Sequence, residues 1–473
     1  MTTFLRVAGG VASLVVLTLA LPASAFAHAI DDRYSAPLPL IVYVAGAGLA
    51  VAMSFAFVMY RNAPPPSDDE SGPERPVWRW LRVLLGAAGL IGWLWIVAQT
   101  FSGGSGAGDV ASLFLWVYGW VGIALISALI GPAWAWIDPF TTLHRTLSWL
   151  ADRLGISGGE ATDYPVRWAT WPAVGGFMVV IWLELVARVD GGRPLGLLLV
   201  AYTLVTLAGM SYFGRERWRA NGEIFSVWFR LLGRLAPFVM AGQPEDGKVR
   251  RRPFGAGLIS GAWSLDRLVL IALGTGAIIY DGLSQTQIYF DLFGNVDLFG
   301  LPVLRDTLIM GVFLVVLVAI VLAVARRLNV AALCAGLLPV AVGYLVAHYL
   351  TYLLIDGQRI INAINDPLNR GDNLLPLEWA FFEPVSFIPP AVVWSVQLAA
   401  VVGGHIVGAW AGHAALAEEG EARADLRRQL PLAALMVGLT SLTLWSLGQA
   451  VLSPTQPTTQ PAALLQRDDG PRT

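Results

Sequence analysis

Ten long apolar runs fill the chain, and basic residues are concentrated in alternate connections between them. An α-helix needs roughly 20 apolar residues to cross the hydrocarbon core of a bilayer. Inside lipid the backbone must satisfy its own hydrogen bonds, so such runs must be helical. The sequence therefore predicts an all-α, polytopic bundle of about ten transmembrane helices. The predicted spans are 38–60, 80–101, 110–137, 168–188, 194–213, 265–283, 307–326, 330–355, 390–414 and 430–452.

Composition supports this prediction and limits the partners. Hydrophobic residues make up 56% of the 473 positions and charged residues only 14%. The net charge of −2 argues against nucleic-acid binding by bulk electrostatics. The expected partner is the lipid bilayer, with a small-molecule substrate as a further hypothesis, and the sequence does not determine an oligomeric state. Cys334 is the single cysteine, which excludes an internal disulfide.

The two ends of the chain differ from the apolar middle. Arg6 precedes an apolar stretch, and small residues follow it up to Ala27, which is the order found in a secretory signal peptide. Residues 1–27 are therefore predicted to be a cleaved signal peptide that leaves His28 at the mature N-terminus. Residues 28–453 form the predicted membrane domain. The Thr-, Gln- and Pro-rich tail 454–473 is predicted to be disordered.

The basic residues also predict an orientation. The loop 214–264 holds nine of them, whereas 102–109 holds none. Because basic residues favour the cytoplasmic side, we expect a multi-pass protein of a bacterial inner membrane with both mature termini outside the cytoplasm. The Pro-rich segment 61–76 is predicted to be a linker, and 141–154 an interfacial helix. The apolar segment 224–240 is placed on the cytoplasmic surface.

Ionisable residues inside a membrane are costly and are candidates for function. His348 lies in the eighth predicted span and His405 in the ninth, where Gly404, Gly408 and Gly412 form a flat helix face. Such a placement is also typical of a buried histidine bonded to a neighbouring helix. His28 could hold copper through its amino and imidazole nitrogens. His28, His348 and His405 are thus the candidate metal ligands, although His348 and His405 fall at different depths.

A candidate pocket surrounds His348 at the end of its span. Tyr344 and Tyr352 stand four residues to either side of it, and the long polar connection 356–389 follows. The predicted pocket combines these tyrosines with side chains from the connection, namely Asp356, Gln358 and Asp366. Glu184 and the pair Asp266–Arg267 are interpreted as structural groups, not as catalytic ones.

Several stretches resemble a family of bacterial polytopic membrane proteins whose members are commonly named fenitrothion hydrolases. The resemblance covers most of the mature chain and rests on HAIDDRYSAPLPL (28–40), YTLVTLAGMSYFGRERW (202–218), VAHYLTYLLIDGQ (346–358), NDPLNRGDNLL (365–375) and GGHIVGAWAGHAAL (403–416). It implies hydrolysis of organophosphate triesters but supplies no set of catalytic residues. Such chemistry needs an activated water, most simply one bound to a divalent metal ion.

Two other functions remain open from the sequence. The loop 214–264 divides ten spans into five and five of opposite orientation, which is a common plan of secondary transporters. A redox protein is the other alternative, with copper at His28 or haem at His348 and His405. The chain has no HExxH, CxxC, GxSxG or Walker A motif, which argues against the commonest soluble catalytic domains.

Overall fold

The computed structural model describes residues 40–61, 72–102, 109–156, 159–189, 191–242, 246–376, 382–418 and 426–447. The predicted signal peptide 1–27, His28 and the tail 454–473 lie outside these ranges. In chain order the helices are α1 (Leu40–Arg61), α2 (Arg79–Ser102), α3 (Val110–Leu129), α4 (Ala133–Ile137), α5 (Pro139–Arg153), α6 (Trp171–Leu185), α7 (Gly192–Phe213), α8 (Arg215–Asn221), α9 (Ile224–Leu232), α10 (Ala256–Ile259), α11 (Leu265–Ser284), α12 (Gln287–Phe293), α13 (Pro302–Ala325), α14 (Val330–Ile355), α15 (Ile360–Asn365), α16 (Pro390–Glu418) and α17 (Leu426–Leu447).

Nine helices of the described chain are long and apolar enough to cross a membrane, and α1 is a further apolar helix. The protein is therefore a multi-pass helical membrane protein, and the predicted all-α fold is confirmed. The helix ends define two faces. The arginine-rich face carries the connections 130–165, 214–264 and 326–329, and the arginine-poor face carries 186–191, 285–301 and 356–389.

Three short strands add a small sheet that the sequence did not predict. They are β1 (Glu74–Pro76), β2 (Phe238–Met240) and β3 (Lys248–Arg251), in the antiparallel order β1-β3-β2. The end of the segment interpreted as a linker, 61–76, is thus a strand. Because β3 pairs with β1, which lies far away in sequence, the sheet ties the loop 214–264 to the start of α2.

Helix α11 is the central element of the bundle, packing against α6, α13, α14 and α17. Most of its membrane-crossing part is buried. Small residues permit these close contacts. A Cβ added at Gly276 would lie 2.8 Å from Leu314 of α13, and one at Gly274 would lie 2.4 Å from the ring of Trp228. Residues near the end of α11 are therefore held between several helices.

A close crossing joins α14 to α16. A Cβ added at Gly404 would lie 2.7 Å from the Pro339 carbonyl oxygen, and one at Gly408 would lie 2.3 Å from that of Gly336. Only glycine lets two helix backbones approach so closely. The glycine face that was predicted on the ninth span is confirmed, and it packs against the helix that carries His348.

Helix α9 does not lie on the surface, so the placement of 224–240 there was wrong. All its residues from Ile224 to Phe229 are buried. Trp228 contacts Gly274, which lies nine residues, or roughly 13 Å, beyond the start of α11. Its ring also stacks near Trp120 of α3, with centroids 6.4 Å apart. The apolar pattern that suggested a surface helix instead fills the interior of the bundle.

Helix α5 follows the interfacial prediction in its pattern of exposure. Leu147, Leu150 and Leu154 are all exposed on the protein surface, as is Trp149. Asp138 caps the helix by accepting hydrogen bonds from the backbone of Phe140 and Thr141. A capped helix with an uncovered apolar side is suited to lie against lipid.

Candidate functional site

An aspartate and a histidine meet inside the bundle near the arginine-poor face. His348 of α14 places Nε2 2.7 Å from Asp281 Oδ2, and the two side chains are 15% and 14% exposed. Since a carboxylate only accepts hydrogen bonds, the histidine donates through Nε2. A neutral ring then keeps Nδ1 as an acceptor. This pair is the candidate site.

Neighbouring side chains fix the carboxylate of Asp281. Tyr349 donates its hydroxyl to the same Oδ2 at 2.9 Å, and Gln285 donates its amide to Oδ1 at 2.8 Å. Three donors around one carboxylate hold it in a single orientation. Glu184 of α6 interacts electrostatically with Asp281 and with Tyr349. The site therefore joins residues from α6, α11 and α14.

A stretch of π-helix forms the wall beside this site. Residues Leu113–Ile123 of α3 are wound as a π-helix, a conformation that is rare and frequent at functional sites. Tyr118 of this stretch donates a hydrogen bond to the Gly357 carbonyl oxygen. Trp120 lies beside Tyr349, and Ser112 beside Tyr352. The widened helix thus supports the end of α14 that carries His348.

The free nitrogen of His348 faces a space that a glycine leaves open. A Cβ added at Gly282 would lie 3.5 Å from His348 Nδ1 and 2.9 Å from Ser446 Oγ. The hydroxyl of Ser446 on α17 and the acceptor nitrogen of His348 therefore border the same small space. Asp281 holds the opposite nitrogen of the same imidazole, Nε2.

The other predicted histidine has a structural environment. His405 is fully buried, with Nδ1 2.8 Å from the Val401 carbonyl oxygen and Nε2 3.3 Å from the Tyr344 hydroxyl. Both ring nitrogens are engaged, so a metal would have to displace one of these bonds. The Tyr344 hydroxyl thus contacts His405, whereas Tyr352 stays near the site through its interactions with Asp281 and Glu184.

The polar residues of the connection 356–389 mainly stabilise the connection itself. Asp356 pairs with Arg359 at 3.0 Å, and Gln358 bridges to the backbone of Val385. Asp366 accepts hydrogen bonds from the backbone of Arg370 and Gly371. Of the three pocket residues predicted in this connection, Asp356 keeps an electrostatic link to the site, through Tyr352.

The predicted metal ligands do not form one centre. His348 bonds Asp281, His405 lies in the α14–α16 crossing, and His28 lies outside the described residues. Within the described ranges, no three His, Cys, Asp or Glu side chains are placed to hold a metal ion together.

Comparison with protein-family models, curated proteins and solved structures gives no match to this chain.

Sequence reasoning missed Asp281, although a signal was available. An aspartate inside an apolar span is itself a candidate for function, and Asp281 lies within the predicted span 265–283. Tyr349 and Ser446 carried no such signal, because tyrosine and serine are common in membrane helices. Their relevance follows from the packing of α11, α14 and α17 alone.

A second polar cluster lies buried at the arginine-rich face. Arg219 of α8 pairs with Asp138, and Glu223 caps α9 by accepting hydrogen bonds from the backbone of Phe225 and Ser226. Burial raises the pKa of Glu223, and the nearby charge of Asp138 raises it further. Each of these interactions either caps the start of a helix or forms an ion pair. The cluster therefore explains how α9 is held inside the bundle.

Proposed function

We propose that the protein is a membrane-embedded hydrolase in which Asp281 and His348 act as a general base on a lipophilic phosphate ester. The proposal rests on the 2.7 Å contact between His348 Nε2 and Asp281 Oδ2 inside the bundle. Ionisable residues within a membrane are costly and rare, and they often mark functional sites. The resemblance to fenitrothion hydrolases supports the phosphate ester as substrate class.

The two residues have distinct roles in this mechanism. His348 Nδ1 removes a proton from a water molecule in the space beside Gly282, and Asp281 stabilises the imidazolium that forms. The water oxygen bonds to phosphorus as the bond from phosphorus to the leaving oxygen breaks. The leaving oxygen takes the proton back from His348, so one ester and one water give one acid and one alcohol. Tyr349 holds the aspartate in place throughout.

The proposed orientation puts the arginine-poor face outside the cytoplasm of a bacterial inner membrane. This assignment is supported by the nine basic residues of the loop 214–264 on the other face. The active pair would then lie close to the outer surface, where a substrate dissolved in the outer leaflet reaches it directly.

The test is hydrolysis of a 4-nitrophenyl phosphotriester by purified protein in lipid nanodiscs, followed by release of nitrophenolate. We expect His348→Ala and Asp281→Asn each to lower kcat by about 10²–10⁴-fold, the usual loss when general base catalysis is removed. His144→Ala is the matched control, since His144 lies on α5 and bonds Ser211 away from the site. Full activity of His348→Ala, or none in the wild-type protein, would contradict the proposal.

Proton-coupled transport is the second candidate, and the observation that favours it is Glu184. This carboxyl group, Asp281 and His348 are three titratable groups close together within the spans, as in proton relays. The helix packing gives no support for an inverted repeat. The glycine crossing joins α14 to α16, whereas the corresponding α3 and α6 meet through Trp120 and Phe177. Proton flux into proteoliposomes that is lost in Glu184→Gln would favour transport over hydrolysis.

A further inference from the structure

A long apolar groove runs along the bundle next to the candidate site. Helices α13 and α17 form its walls, and the end of α11 (Tyr280 and Leu283) and α12 (Tyr289 and Phe293) line its end at the arginine-poor face. Its volume is about 930 Å³, within the range of sites that hold sizeable ligands. The wall on α13 runs from Leu308 to Val324, which is roughly 24 Å of helix. This length approaches the hydrocarbon thickness of a bilayer, about 30 Å.

The lining of the groove is apolar along its length, and its two tyrosines, Tyr280 and Tyr289, lie towards the arginine-poor face. On the α13 side, the Tyr280 and Tyr289 hydroxyls bond each other at 2.8 Å. Arg305 lies one helical turn beyond Leu308, and both Arg305 and the exposed Arg188 act electrostatically on Tyr289. Arg305 also donates to Asp306 Oδ1 at 2.8 Å and to the Gly294 carbonyl oxygen at 3.2 Å. The two guanidinium groups outnumber the carboxylate of Asp306, which pairs with Arg305, and together with the two hydroxyls they complement a phosphate attached to a long chain.

The α17 side of the same end leads to the candidate site. Leu435, Leu439 and Leu442 line the groove at helical spacing, and Ser446 continues this row one turn further. Ser446 borders the space beside Gly282 and His348 Nδ1. A ligand whose chain fills the groove would therefore place its polar end between the arginines and His348.

We infer that the groove binds one phospholipid-like amphiphile from the bilayer, with a hydrocarbon chain along α13 and α17 and its phosphoester at the end formed by Tyr289, Arg305 and Ser446. This inference rests on the proposed function for the fate of the phosphoester and names the substrate class of that site. Binding itself depends only on the shape and charge of the groove. The two can therefore be tested apart.

Two glycines offer a matched pair of variants. Gly438 lines the groove, Gly311 lies on α13 outside the groove lining, and a Cβ at either position would meet no atom within 4 Å. Gly438→Phe therefore adds a ring to the groove from a Cβ that meets no other atom, and Gly311→Phe adds the same side chain elsewhere. Gly438→Leu is the smaller substitute if the phenylalanine variant does not fold.

The experiment measures photocrosslinking of phosphatidylglycerol that carries a diazirine at its chain end, in phosphatidylcholine nanodiscs. We expect crosslinks on α13 and α17, lowered about tenfold in Gly438→Phe, which corresponds to about 1.4 kcal/mol, and unchanged in Gly311→Phe. Arg305→Gln should weaken capture of this lipid relative to a diacylglycerol with the same chain. Equal crosslinking in the two glycine variants, or equal capture of the two lipids by wild type, would overturn the inference.

His348→Ala separates this result from the proposed function. The variant keeps the groove lining and Arg305, so it should still crosslink the lipid more strongly than Gly438→Phe does while losing hydrolysis. Groove variants that bind less lipid, in a protein without any hydrolytic activity, would support the lipid site and refute the enzyme. Hydrolysis that is lost in His348→Ala but kept in Gly438→Phe would support the enzyme and refute the groove as its lipid site.

Discussion

Arg219 is a charged side chain in an interior position, only 2% exposed. Its Nε lies 3.1 Å from Asp138 Oδ2, and its Nη1 lies 3.4 Å from Glu216 Oε1. Asp138 is itself buried and caps α5. Removing one member of a buried ion pair leaves the other charge without compensation in a medium of low polarity. Replacing Arg219 alone should therefore destabilise the protein strongly.

We expect Arg219→Met to lower the free energy of unfolding by about 3–5 kcal/mol. Adding Asp138→Asn to that variant should recover part of the loss, since the unpaired charge is removed. The measurement is a denaturant titration in mixed micelles followed by tryptophan fluorescence. Arg217→Met is the control, because its pair with Asp163 is exposed and should contribute less than about 1 kcal/mol. Similar losses in Arg217→Met and Arg219→Met would contradict the argument.

For single residues, the sequence correctly indicated that His348 is a polar group within a span. It could not show which side chain His348 contacts. Asp281 is 67 positions away along the chain, and only the packing of α11 against α14 brings the two together. His405 had the same sequence signal. Its hydrogen bonds to Val401 and Tyr344 make it a buried structural histidine, the alternative that the sequence left open.

The short distance between helices α14 and α16 depends on glycine. The backbone of Gly336 blocks any Cβ at Gly408, whereas a Cβ at Gly403 of the same helix meets nothing within 4 Å. Both positions lie in the middle of α16, so they share helix propensity and differ in packing. Because α14 carries His348, a change in this separation should also affect the candidate site.

We expect Gly408→Ala to destabilise the protein by about 1–3 kcal/mol through overpacking and to weaken any activity that depends on His348. Gly403→Ala should be neutral or stabilising by less than about 1 kcal/mol, since alanine favours helix. Thermal denaturation in the same detergent, read by tryptophan fluorescence, compares the two. A Gly408→Ala variant as stable as Gly403→Ala would show that the helices can separate without cost.

At the level of helices, the length of the apolar runs identified the spans, because burial in protein and exposure to lipid both favour apolar residues. It failed for α9, whose apolar residues face other helices and whose Arg230 suggested an interface. The π-helical winding of Leu113–Ile123 was also beyond prediction. Local sequence does not specify it, and contacts of Tyr118 and Trp120 with α14 and the following turn accompany it.

For the whole molecule, the distribution of arginine predicts which face meets the cytoplasm. The test needs one cysteine at each face, and the only native cysteine, Cys334, is fully buried. Asp372 on the arginine-poor face and Glu160 on the arginine-rich face are both exposed. An impermeant maleimide should label Asp372→Cys in intact cells, and it should label Glu160→Cys only after permeabilisation. The opposite pattern would reverse the orientation and put the candidate site on the cytoplasmic side.

The buried position of α9 has a consequence for biogenesis. Its Trp228 packs against Gly274, a residue that is synthesised 46 positions later, and against Trp120 and Phe177 from earlier spans. No such pocket exists while the ribosome is still making α11. The segment must therefore wait at the translocon exit or the membrane surface, and its docking is a late step of maturation that follows insertion of the flanking helices.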